Sequence, residues 1–256
     1  MSKKTQLLYA FSILSILPAV VHADVLVGTR VEIPIEKVFA PEVGFDDNDR
    51  IEIVVHGQLT NSCYRLADTV VEPQADGLTY KVKQFATRIE NGICGDQAAM
   101  MPPHLTVRVP FNKVVDIGTL ASAKYKLQYS FAANQTAFRP LDVAVATVPT
   151  IDDFSYAAVA NALVPEVVNG ADDVKLTLSG VLNSSCTHLD QIKITPEKDV
   201  IIIQPILKVD ANVECTQLLI PFMKDVNLGK LASGEYLVHI RSMNGSAVNR
   251  VFTVSK

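Results

Sequence analysis

The sequence predicts an all-β chain of two tandem β-sandwiches, each closed by one intradomain disulfide. Three observations carry that expectation: a duplicated set of motifs, short apolar and polar alternations bounded by turn residues, and cysteines that fall two to each copy. Residues 109–125 (VPFNKVVDIGTLASAKY) return as residues 220–236 (IPFMKDVNLGKLASGEY) at a constant offset of 111, with nine of seventeen positions identical. Upstream, residues 57–66 (GQLTNSCYRL) match residues 180–189 (GVLNSSCTHL) at an offset of 123. Self-similarity at such spacing marks a duplicated structural unit.

The chain opens with Lys3 and Lys4, an apolar run broken by Pro18, and Val21-His22-Ala23 before Asp24. A basic start, a short apolar stretch and a small residue at its end read as a secretory signal over residues 1–23. The run falls short of the roughly 20 residues that a spanning helix needs. The expectation is therefore a periplasmic or secreted protein with no transmembrane segment in the mature chain. Once Lys3 and Lys4 are set aside, 27 acidic residues face 21 basic ones. That balance argues against nucleic acid as a partner, because phosphate binding relies on clustered Lys and Arg.

The first repeat is expected over residues 24–148 and the second over 149–256, with residues 148–150 (Val-Pro-Thr) as the boundary. Each exceeds 100 residues, enough for its own core. Alternating runs at residues 50–56, 79–83, 104–109 and 124–129 read as strands of the first repeat. Residues 174–178, 200–203, 235–240 and 250–254 supply those of the second. Residues 154–163 are rich in Ala and could pass for a helix. However, Leu163-Val164-Pro165-Glu166-Val167 aligns with Phe39-Ala40-Pro41-Glu42-Val43, and a proline at the same place in both copies suits a kinked first strand. Asn244-Gly245 between alternating runs signals a tight hairpin.

Four cysteines allow three pairings. Duplication and export favour Cys63 with Cys94 and Cys186 with Cys215, within each repeat. Metal ligation finds no Cys-x-x-Cys and no matching His spacing, so no metal or other cofactor is expected.

About seven short strands per repeat, at spacings seen in Greek keys, point to two tandem immunoglobulin-like β-sandwich domains. The core Trp of antibody domains is missing, so the likeness is architectural. The Gly-x-Leu-x-x-Ser-Cys and Leu-Ala-Ser-x-x-Tyr motifs resemble small disulfide-bearing sandwich domains of exported bacterial proteins, mostly of uncharacterised function. That resemblance implies a fold and leaves the activity open.

No catalytic residue is assigned. There is no Gly-x-Ser-x-Gly elbow and no His-Glu-x-x-His, and His56, His104, His188 and His239 read as ordinary surface or strand-end residues. Asp46-Asp47-Asn48-Asp49 reads as a solvated acidic turn, with weak Ca²⁺ binding as its functional alternative. The clearest asymmetry is ten extra residues in repeat one between the second Cys and the Pro-Phe motif. Met100, Met101, Pro102 and Pro103 in that insertion are the candidate contact residues, since loops on rigid scaffolds carry function and Met adapts to apolar partners. The expected function is a non-catalytic binding or envelope-assembly protein with a protein partner in the envelope or outside the cell. An envelope hydrolase with a spatially assembled site and a carbohydrate-binding module are the alternatives. With no Trp, sugar stacking ranks below protein binding.

Overall fold

The computed structural model describes residues 28–90, 94, 106–131, 135–211 and 213–256. Among these residues there are only strands, turns and irregular segments. The first half holds β1 (Gly28–Ile33), β2 (Lys37–Phe39), β3 (Phe45–Asp46), β4 (Ile51–Leu59), β5 (Tyr64–Pro73), β6 (Thr79–Ile89), β7 (Val109–Gly118), β8 (Ala123–Phe131) and β9 (Gln135–Ala144). The second holds β10 (Ala158–Leu163), β11 (Val167–Asn169), β12 (Val174–Leu182), β13 (Thr187–Glu197), β14 (Val200–Val209), β15 (Ile220–Gly229), β16 (Gly234–Ser242) and β17 (Ser246–Ser255).

The two halves pair their strands alike. A small sheet β2-β4-β7 corresponds to β10-β12-β15, and a large sheet β3-β9-β8-β6-β5 corresponds to β11-β17-β16-β14-β13. In the first half β1 adds beside β6. Separate apolar cores include Ile53, Leu127 and Leu141 in one half and Leu178, Ile203 and Phe252 in the other.

Both halves contain a strand that changes sheets at a proline. β2 pairs antiparallel with β4, and beyond Pro41 the chain crosses to β3, which lies parallel to β9. β10 pairs with β12, and beyond Pro165 β11 lies parallel to β17. Proline has no N–H to give to a ladder, so it sits where pairing lapses. The Ala-rich stretch is thus strand from Ala158 onward. Among the described residues, splitting that strand brings the second half to eight strand segments, and the additional β1 makes nine in the first half. The large sheets are mixed: β6 runs parallel to β8, and β14 to β16. An immunoglobulin domain has two antiparallel sheets, so the chain departs from that arrangement here.

The two repeated motifs are direct neighbours in space. Gly57 lies opposite Phe111, and Gly180 opposite Phe222. A Cβ on Gly57 would stand 2.8 Å from the Phe111 ring, and one on Gly180 would stand 2.1 Å from the carbonyl oxygen of Ala158. Glycine lets the phenyl ring lie over the neighbouring strand. Because the Ala158 oxygen belongs to backbone, Gly180→Ala must displace β10, and it will destabilise the chain by about 2 kcal/mol. A urea midpoint that matches wild type would contradict this.

The same register corrects one expectation. Residues 106–108 are not strand, and pairing starts at Val109 and runs to Gly118 because Phe111 must face Gly57. The Asn244-Gly245 hairpin is present, with φ of 63° and 67° at its two central residues. In both halves a tyrosine hydroxyl donates to a carbonyl four residues upstream, Tyr125 to Ala121 at 2.8 Å and Tyr236 to Ala232 at 2.9 Å. That is the geometry of a tyrosine corner.

Both disulfides form within their halves, Cys63–Cys94 and Cys186–Cys215. Each ties the corner after β4 or β12 to the chain beyond β6 or β14. Such bonds persist in non-reducing compartments.

Candidate binding groove and the junction between the halves

The candidate contact residues Met100, Met101, Pro102 and Pro103 lie outside the described residues, as do residues 1–23 and His104. The site that the structure does show is built from differences between the two copies.

The first difference is on the outer sheet faces. β12 alternates, with Lys175, Thr177 and Ser179 turned away from its core, whereas the equivalent positions of β4 are Glu52, Val54 and His56. β8 shows Lys126, Gln128 and Ser130 on its outer face, where β16 has Leu237, His239 and Arg241. The outer face of β4 packs against the outer face of β16 and β14. Phe39, Val54, Val200, Ile202 and Leu237 form an apolar cluster of their own there, all buried. Strands covered on both faces lose their alternation, which is why Ile53-Val54-Val55 and Val200-Ile201-Ile202-Ile203 read as continuous apolar runs.

Polar contacts frame that cluster. Arg241 donates to both oxygens of Asp49, at 2.8 and 2.6 Å, and to the Gly44 carbonyl at 2.6 Å. Burial opposes the charge on Arg241, yet Asp49 holds it firmly protonated. On the other side Asp199 meets Lys37 at 2.9 Å and Arg139 at 2.7 Å. Burial works against that carboxylate, and its two cations together keep it below the usual range. Asn249 donates to Glu52 at 2.8 Å, and its oxygen lies 2.8 Å from Nδ1 of His239. Burial pushes the Glu52 carboxyl upward.

Two expectations are corrected here. His56 and His239 are buried, because the opposite half covers the strand faces that carry them. The acidic turn is not solvated: Asp46 and Asp49 are buried, Asp49 is neutralised by Arg241, and Asp47 accepts the N–H of Ala146 at 2.9 Å. A pattern of carboxylates alone does not reveal a cation 192 residues further along. Among the described residues, no group of three His, Cys, Asp or Glu stands close enough to hold a metal ion.

The second difference lies at the open edge of each sandwich. In the first half Lys113 of β7 points inward and donates to the carbonyl of Ala67 on the β5 bulge, closing the gap between the two edge strands. Its counterpart in the second half, Lys224 of β15, makes no hydrogen bond or ion pair among the described residues, and β13 and β15 leave a groove of about 560 Å³ between them. Leu182, Leu189, Ile192, Ile194 and Phe222 line it, with Met223 exposed at 74% on the lip. Both strands are edges of their sheets. The groove therefore offers unpaired main chain, apolar side chains and, beside the carboxylates of Asp190 and Asp225, a lysine with no partner among the described residues. Sequence reasoning missed it because Lys113 and Lys224 are identical residues in an aligned motif.

Residues 176–254, from β12 to β17, match the family described as the ORF11 beta-sandwich domain. Comparison with curated proteins and with solved structures gives no match. The second half is thus similar to a β-sandwich domain, in agreement with its two facing sheets.

Proposed function

We propose that the chain is an exported, non-catalytic binding or envelope-assembly protein. Two tandem immunoglobulin-like sandwiches, with the strand order modified as described, act as a single stiff scaffold. The second sandwich takes an extended segment of a partner protein along the β13–β15 groove by strand addition. One observation carries this reading: the same gap is closed by Lys113 in the first half and left open in the second. The inward-pointing Lys224 and the nearby Pro221 guard the edge against indiscriminate pairing. A suitable segment therefore alternates apolar residues and places a carboxylate opposite Lys224. The insertion with Met100, Met101, Pro102 and Pro103 supplies a second contact in this reading, and the two disulfides agree with an exported setting.

A displayed library of unstructured twelve-residue peptides tests the groove. Selection on the oxidised protein should enrich alternating apolar sequences that carry an acid. Binding should fall at least tenfold in Ile194→Glu and in Lys224→Glu, and little in Lys113→Ala. Equal binding by all the variants would sink the groove reading. Shortening residues 95–104 separately tests the insertion.

A further inference from the structure

We propose that the junction between the halves is an acid-sensitive latch, released when the buried imidazole of His239 takes up a proton. The inference rests on where this side chain sits. His239 lies on the outer face of β16, 1% exposed, with the Phe45 ring of the other half packed edge-on at 5.6 Å. Its Nδ1 is 2.8 Å from the Asn249 oxygen, an arrangement in which Nδ1 carries the proton and donates. Nε2 is buried and, among the described residues, has no hydrogen-bond partner. A proton arriving at Nε2 creates a cation with no acceptor beside it, and such a charge is expensive to keep away from water.

The surrounding charges deepen the effect. Arg241 lies on the same strand and already holds a buried positive charge, which repels a second one. Asp49 faces the site from the turn after β3 but is committed to both guanidinium contacts of Arg241. Asp46, on β3, is buried, and its carboxyl is pushed up by burial and by Asp49, so it gives way to its neutral form early on acidification. Glu52, on β4, reaches His239 only through Asn249 of β17. Burial and Arg241 bring the His239 pKa down from 6.5 to about 4, with the Asn249 contact and Asp49 pulling weakly the other way.

The sign follows from proton linkage. A histidine whose pKa is depressed in the closed form binds fewer protons there than when exposed. Closure is therefore fully supported above pH 6.5 and weakens as the pH falls toward 4. Between those limits the opening equilibrium should rise roughly a hundredfold. Opening of this interface exposes the imidazole without disturbing either apolar core. Elsewhere on the junction, Nε2 of His56 lies 3.3 Å from Glu235 of the other half and 3.7 Å from Glu36.

Small-angle scattering on the full mature chain from pH 7 to pH 3.5, with strand content followed by circular dichroism, tests the latch. The radius of gyration should grow between pH 6 and 4 while strand content holds. In His239→Gln that growth should move to lower pH. Constant dimensions down to pH 4, or growth at the same pH in His239→Gln and wild type, would overturn the proposal. The imidazole proton resonance of His239 in the unmodified chain gives an independent reading. Titration near pH 4 agrees with the latch, and titration near 6.5 in a still closed molecule contradicts it.

Discussion

Asp49→Ala will lower the unfolding free energy by about 3–5 kcal/mol, the range seen when one member of a buried ion pair is removed. Asp49 and Arg241 expose only 5% and 6% of their side chains. Without the carboxylate, the guanidinium keeps the Gly44 carbonyl but carries an uncompensated charge beside the apolar contact between the halves. Most of the loss is this stranded cation, so Asp49→Leu combined with Arg241→Met should recover much of it. The exposed pair Arg30–Asp68 at 2.6 Å supplies the control, because solvent already screens it. Urea unfolding of these variants gives the measurement. A loss for Asp49→Ala no larger than that for Asp68→Ala would show that the junction contributes little to stability.

Replacing Cys186 and Cys215 together by Ser will destabilise the second half by about 3–4 kcal/mol in the chain-entropy picture of a loop this long. The bond spans 29 residues and anchors the chain between β14 and β15. Its loss also frees the segment that leads into the groove strand, so peptide binding should weaken along with stability. Calorimetry with and without reductant checks the first expectation: wild type under reducing conditions should approach the double variant. No shift in either case would mean that the sandwich core alone holds this half.

The repeat, the disulfide pairing and the strand class were legible in the sequence because they depend on local or duplicated signals. Gly57 and Phe111 stand far apart in the chain, yet their joint recurrence as Gly180 and Phe222 marks a contact, and the structure places each pair across neighbouring strands. The junction was only half legible. Leu237, His239 and Arg241 replace Lys126, Gln128 and Ser130, and Val54 and His56 stand where the other copy has Thr177 and Ser179. Such polarity differences between aligned copies signal covered faces, but they do not say which face meets which. The start of β7 was misjudged because alternation at residues 104–109 carries no register, while the glycine and phenyl contact does. The groove was invisible for a related reason. Whether an edge lysine closes a gap depends on the partner across it: Ala67 offers a carbonyl to Lys113, and the bulge residue Asp190 makes no such contact with Lys224.

Amide hydrogen exchange on the intact oxidised protein, with and without a peptide selected on it, tests the central claim most directly. The account predicts new protection confined to β13 and β15, with β5 and β7 of the first half unchanged and the effect lost in Ile194→Glu. Protection of β7 equal to that of β15, or protection that avoids both edge strands of the second half, would contradict it.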